Sequence, residues 1–153
     1  MAKNTIKLKK YLDVVNEFTA TAVAITPGML LELTSAGLVQ AHSTEGGPVL
    51  PMFALEDELQ GKGITDNYAV SAKIQVWTAV RGEEVYALLA DGEEVAAGDF
   101  LISDGNGKLK KYDGNTASDV EFPQSLVAVA LEAVDMSDSS GADPSGRIKV
   151  VIL

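Results

Sequence analysis

The residues that could do chemistry are few, and spacing tests each of them. His42 is the single histidine, and histidine is the side chain best suited to shuttle a proton near neutral pH. A catalytic triad would require His42 to meet a serine and an acid, yet no G-x-S-x-G elbow occurs, so it reads as a loop residue. The stretch SDGNGK at 103–108 has the oxygen-rich look of a calcium loop. Counted from Asp104, however, the sixth position is Leu109 and the twelfth is Asn115, where an EF-hand needs glycine and glutamate. A tight turn is expected there. QGKG at 60–63 lacks the G-x-x-x-x-G-K-[ST] frame of a phosphate loop, because Glu56 and Gly63 stand at its ends. Asp135, Asp138 and Asp143 fall in a Ser/Gly-rich loop and are expected to be solvated. Glu83 and Glu84, like Glu93 and Glu94, are sequence neighbours; on a strand they point to opposite faces and make no acid–base pair. With no cysteine, there is no thiol nucleophile, thiolate metal site or disulfide. The expectation is no catalytic residue, no metal and no cofactor.

GEEVAAGDFL is similar to the turn of lipoyl and biotinyl carrier domains. Those domains need a lysine at a hairpin tip, and Lys62 lacks the flanking motif. A β-barrel carrier and a carbohydrate-binding module therefore stand as alternatives, although aromatics make up only 6% of the chain. Trp77, in the middle of KIQVWT, is expected in the core, with interface use as the other reading, since tryptophan is enriched in binding hot spots.

These residues must be positioned by strands. YAVSAKIQVWTAV is rich in β-branched and aromatic residues. MLLEL and LVQAH flank Thr34-Ser35-Ala36-Gly37 as a hairpin, and VYALLA and RIKVVIL read as further strands. VLPMFALEDE and SLVAVALEAV read as continuous strands, and LEDELQ is the one helix-like piece, ended by Gly61. The hairpin is written twice. Gly28, Leu31, Gly37 and Val39 correspond to Gly98, Leu101, Gly107 and Leu109. After six inserted residues, Ala54-Leu55-Glu56 corresponds to Ala130-Leu131-Glu132. Units at about 25–56 and 95–132 are thus predicted to superpose. One such unit cannot bury both faces of its strands, whereas two can complete a core and manage their edges. The predicted fold is all-β, a small barrel or sandwich of two similar units.

A length of 153 residues suits one domain, predicted at 21–153 behind an N-terminal arm at 1–20. No apolar run approaches the roughly 20 residues of a membrane span, and no signal-peptide pattern is present. The net charge is −10, yet the first ten residues hold four lysines and no acid. An acidic body repels phosphate, so nucleic acid is an unlikely partner. The arm is expected to anchor the protein to a partner as an added strand. Ile6 and Leu8 would face that partner, and Lys3, Lys7, Lys9 and Lys10 would meet acidic groups or water.

VWTAVRGEEVYALLADGEEVAAGDFLISDGNGKLKKY, followed by SLVAVALEAVD and GRIKVVIL, resembles the capsid decoration, or cement, proteins of tailed bacteriophages. The likeness is best over about 68–153 and rests on turn spacing and short apolar strands. It implies a β-rich, non-enzymatic head-stabilising protein on the capsid exterior of the virion. It further implies contacts that bridge major capsid protein subunits, and assembly as a homotrimer.

Overall fold

The computed structural model describes residues 4–9, 15–114, 123–137 and 146–153. Lys3 and Lys10 lie outside them. Thirteen strands are present among the described residues, with no α-helix. In chain order they are β1 (Lys7–Lys9), β2 (Val15–Thr19), β3 (Leu30–Leu33), β4 (Val39–Ala41), β5 (Met52–Ala54), β6 (Lys73–Thr78) and β7 (Glu84–Leu88). There follow β8 (Glu94–Val95), β9 (Phe100–Ser103), β10 (Leu109–Lys111), β11 (Ala128–Ala130), β12 (Val134–Asp135) and β13 (Arg147–Ile152).

The repeat is larger than the two stretches read from the sequence. Among the described residues one sheet runs β2-β6-β5-β3-β4, a second β1-β7-β13-β11-β9-β10, and β12-β8 form a small third. Leaving β1 aside, the first two are the same five-stranded sheet. The hairpin pairs Leu31 with Ala41 and Leu33 with Val39; its copy pairs Leu101 with Lys111 and Ser103 with Leu109. Phe53 lies between Leu30 and Trp77 as Val129 lies between Phe100 and Val151. Trp77 then meets Val15, as Val151 meets Glu84. Backbone bonds outside the ladders repeat as well: Gly28 N–H donates to the Ala54 carbonyl, and Gly98 N–H to that of Ala130, each at 2.8 Å. The first unit thus runs from β2 to β6 and the second from β7 to β13.

Register follows from burial on alternating positions. Leu31, Val39, Met52, Ala54, Ile74 and Val76 form the first unit's own core with Ile25 and Tyr68. On the opposite face Leu30, Phe53, Leu55 and Trp77 join a second core that contains Leu101, Ala128, Ile148 and Val150 of the other unit. The two sheets therefore stack as a sandwich with one shared layer. A single parallel bridge, Ala20 to Val39, curls the first sheet, and Leu89 to Leu109 does the same in the second; neither closes a barrel.

Two stretches read as continuous strands are shorter. Chain pairing in VLPMFALEDE is confined to Met52–Ala54, and Asp57 then caps a 3-10 turn at Glu58–Gln60 that Gly61 ends in the left-handed region at φ 70°. SLVAVALEAV breaks into β11 and β12.

Candidate functional site

The basic N-terminal segment was the sequence's strongest candidate for binding, and its described part is docked on the body. Ile6 is fully buried. Its N–H donates to the Glu56 carboxylate at 3.2 and 3.4 Å, and Thr5 Oγ1 donates to the same group at 2.5 Å. The Ile6 carbonyl accepts the Tyr86 N–H at 2.9 Å. Strand β1 then adds to the edge of β7, pairing Lys7 with Val85 and Lys9 with Glu84. The expectation that Ile6 would turn toward a partner is corrected. Strand addition occurs within the chain, where the tethered edge is available at high effective concentration and burial of an isoleucine gives about 1.5–3 kcal/mol. Lys7 and Leu8 are half-buried on that strand. Residues 15–19 likewise form β2 on the first sheet, so the described parts of the arm belong to the sheets.

Trp77 is fully buried beside Phe53 and Leu30. The interface reading is therefore corrected: its ring offers no surface to a partner, because the second unit covers that face. Its Nε1 has no protein hydrogen-bond partner.

The structure brings His42, Ser103 and Glu32 together, an arrangement of triad type. His42 Nδ1 lies 2.8 Å from Ser103 Oγ, and Nε2 lies 3.1 Å from the Pro48 carbonyl and 3.8 Å from Glu32. A carbonyl only accepts, so Nε2 carries the proton and Ser103 Oγ donates to Nδ1. Ser103 Oγ also accepts the Gly105 N–H at 3.1 Å and is wholly buried. The serine has no open side for a substrate, and the group acts as a latch between the two units. Glu32 is held below the usual carboxylate range: burial opposes this, but hydrogen bonds from Ser43 and Gln40 outweigh it.

Asp104 Oδ1 is spent on the Asn106 and Lys108 N–H groups at 2.7 and 2.9 Å, the tight turn expected. Lys62 follows the 3-10 turn, not a β-hairpin tip. Among the described residues no group of three or more acids or histidines is placed to hold a metal. A shallow depression is lined by Glu94, Val95, Ala96, Lys111, Ala133, Val134 and Asp135. Its lysine is paired with Asp99 at 2.7 Å, which lowers the Asp99 pKa chiefly through that hydrogen bond. Arg147, by contrast, is a buried cation; it donates to the Ile64 carbonyl at 2.7 Å and lies over the Tyr86 ring. Burial is the main influence on it and lowers its pKa.

The notable sites are thus surfaces and clasps. Sequence reasoning missed Glu56, although its place in the repeated Ala-Leu-Glu marked it: Glu132 also binds a backbone N–H, that of Lys149 at 2.8 Å.

No family model and no curated relative matches the chain. Among solved structures, its fold is similar to that of the head fiber gp8.5 N base in bacteriophage phi29. The TM-score is 0.54, with 14% identity over 92% of this chain and 95% of that one. The likeness spans both units and is one of fold.

Proposed function

We propose that this chain is a non-enzymatic structural protein of a tailed-phage head, carried on the capsid exterior of the virion. There it stabilises the shell by bridging subunits of the major capsid protein, and it does so as a homotrimer. The observation that supports this reading is the two-unit β body, similar along nearly its whole length to the base of a phage head fiber. The chemistry-bearing side chains agree with it, because His42, Ser103 and Glu56 are spent on internal contacts. Capsid contact is assigned to the lysine-rich start, Lys3, Lys7, Lys9 and Lys10 with Leu8, while Ile6 fixes this segment to the body. Each exposed ion pair contributes only about 0–1 kcal/mol, so occupancy should depend on several lysines and on salt.

The test is co-sedimentation with empty, expanded shells assembled from the major capsid protein of the same phage. Binding should saturate at a fixed ratio and raise the temperature at which shells break. Replacing the four lysines with glutamate should lower occupancy at limiting protein. Absence of binding at every concentration overturns the reading; unchanged occupancy of the lysine variant overturns the assignment of the contact.

A further inference from the structure

The two units are built alike but covered unlike. Leu30, Phe53 and Trp77 lie side by side on one face of the first unit and are fully buried; Leu55, two residues on from Phe53, is 2% exposed. The same places in the second unit hold Phe100, Val129, Val151 and Leu131. All four are apolar, yet Phe100 is 46% exposed and Leu131 38% exposed, and both valines are half-buried. A contiguous apolar row on a monomer's surface marks an interaction site.

The surface that covers such a face is repeated too. Inside the chain, the β9–β10 hairpin lies against the first unit. Leu30 N–H donates to the Gly107 carbonyl at 2.8 Å, and Gly107 N–H to the His42 carbonyl at 3.1 Å. A Cβ added to Gly107 would meet Ala41 at 2.9 Å. The matching hairpin of the first unit, β3–β4, is uncovered. A Cβ on Gly37 would meet nothing within 4 Å, and Leu33, in the place of Ser103, is 48% exposed. The side chains differ in step. Where the internal contact pairs Ser103 with His42, the open surfaces carry Leu33 and Tyr112, an apolar residue for the serine and a phenol ring for the imidazole.

We infer that a second copy of this chain covers the open face. The β3–β4 hairpin of one copy, led by Leu33 and Gly37, sits at the Phe100 and Tyr112 end of the open face of the next, as Gly107 of β9–β10 sits on Leu30, Ala41 and His42 within a chain. The contact is head to tail, so every copy offers one hairpin and one face, and the series closes as a ring or grows as a filament. This deepens the self-association in the proposed function and rests on the repeat, not on capsid binding.

The cysteine-free chain makes the test direct. Leu33→Cys and Phe100→Cys proteins are treated with a short bis-maleimide, separately and mixed, at concentrations where wild type sediments as an oligomer. Cross-linked dimers are expected in the mixture only. Dimers from Phe100→Cys alone would indicate a two-fold contact and overturn the inference, as would no dimers in the mixture. In a second arm, Leu33→Glu and Phe100→Glu are each expected to sediment as monomers, and their equimolar mixture as a 1:1 dimer that grows no further. Circular dichroism checks that both fold; the sites are exposed. A wild-type monomer at every concentration overturns the inference, while shell co-sedimentation separately decides the proposed function.

Discussion

The Glu56 carboxylate holds the backbone N–H of Ile6, at 3.2 Å, fifty residues back along the chain. A buried acid at the end of the first unit's β5 thereby fixes a strand that belongs to the second unit's sheet. The start of the chain is a clasp across both units. Ile6→Ala should destabilise the protein by about 2–5 kcal/mol, as expected for emptying a buried isoleucine site. Glu56→Ala should cost about 1–3 kcal/mol by leaving a buried N–H unpaired. Urea denaturation checks both, and midpoints equal to wild type would mean that the segment adds nothing to the fold.

Two matching glycines should respond differently to one substitution. Gly37 and Gly107 have φ of 74° and 76°, so alanine is strained at each, at a cost of about 1–2 kcal/mol. Only at Gly107 does the new methyl also strike Ala41 and approach the Leu30 carbonyl, at 2.9 and 3.2 Å. Gly107→Ala should therefore lower the melting temperature clearly more than Gly37→Ala, measured at low concentration where copies are separate. Equal losses would contradict the close contact between units.

Trp77 is the single tryptophan, which makes its burial measurable without labels. Native emission should be blue-shifted and nearly insensitive to acrylamide, and both properties should be lost together on unfolding. Efficient quenching of the native protein would place the ring at a surface after all.

Tyr68 gives a prediction at alkaline pH. Burial pushes its pKa from 10.0 to about 12, and its hydroxyl donates to the Leu55 carbonyl at 2.9 Å. A folded pKa above the unfolded one means that the folded state holds its proton more tightly. The stability this confers is complete below pH 10 and is lost as pH rises toward about 12. Tyr68→Phe should flatten that part of the stability curve and should remove a late phenolate absorbance change from the native protein. Titration of every tyrosine near pH 10 would refute the assignment.

What the sequence made legible was whatever depends on turn chemistry. Gly28 and Gly98, Gly37 and Gly107 occupy matching turns with positive φ, so they align in the sequence and in space. KIQVWT and RIKVVI also carry a signal, because Ile74 and Val76 lie where Ile148 and Val150 do; the stretch was read as two strands and not as a copy. VNEFT and EVYAL share no residue in register. Their equivalence lies in backbone pairing alone: β2 is an exposed edge, whereas β7 is flanked by β1 and buries Val85, Tyr86 and Ala87, so the two places call for different side chains. The fate of Ile6 was hidden for another reason. An alternating Ile-Lys-Leu-Lys strand suits any free edge, and sequence does not say whose edge it will be. The triad-like grouping of His42 with Ser103 was equally hidden, since the two are 61 residues apart and meet only because the units stack.

The clasp also sets a timetable. Ile6 leaves the ribosome before the first unit, yet β7, the edge it joins, is made only after the whole first unit. Domains fold from the N-terminus during synthesis at about 5–20 residues per second, so the first unit has several seconds with its Trp77 face uncovered and the N-terminal strand unattached. A segment made before the first unit is thus secured only after that unit is complete. A nascent chain stalled just before β7 should bind a hydrophobic dye or a chaperone, and one stalled after β13 should not.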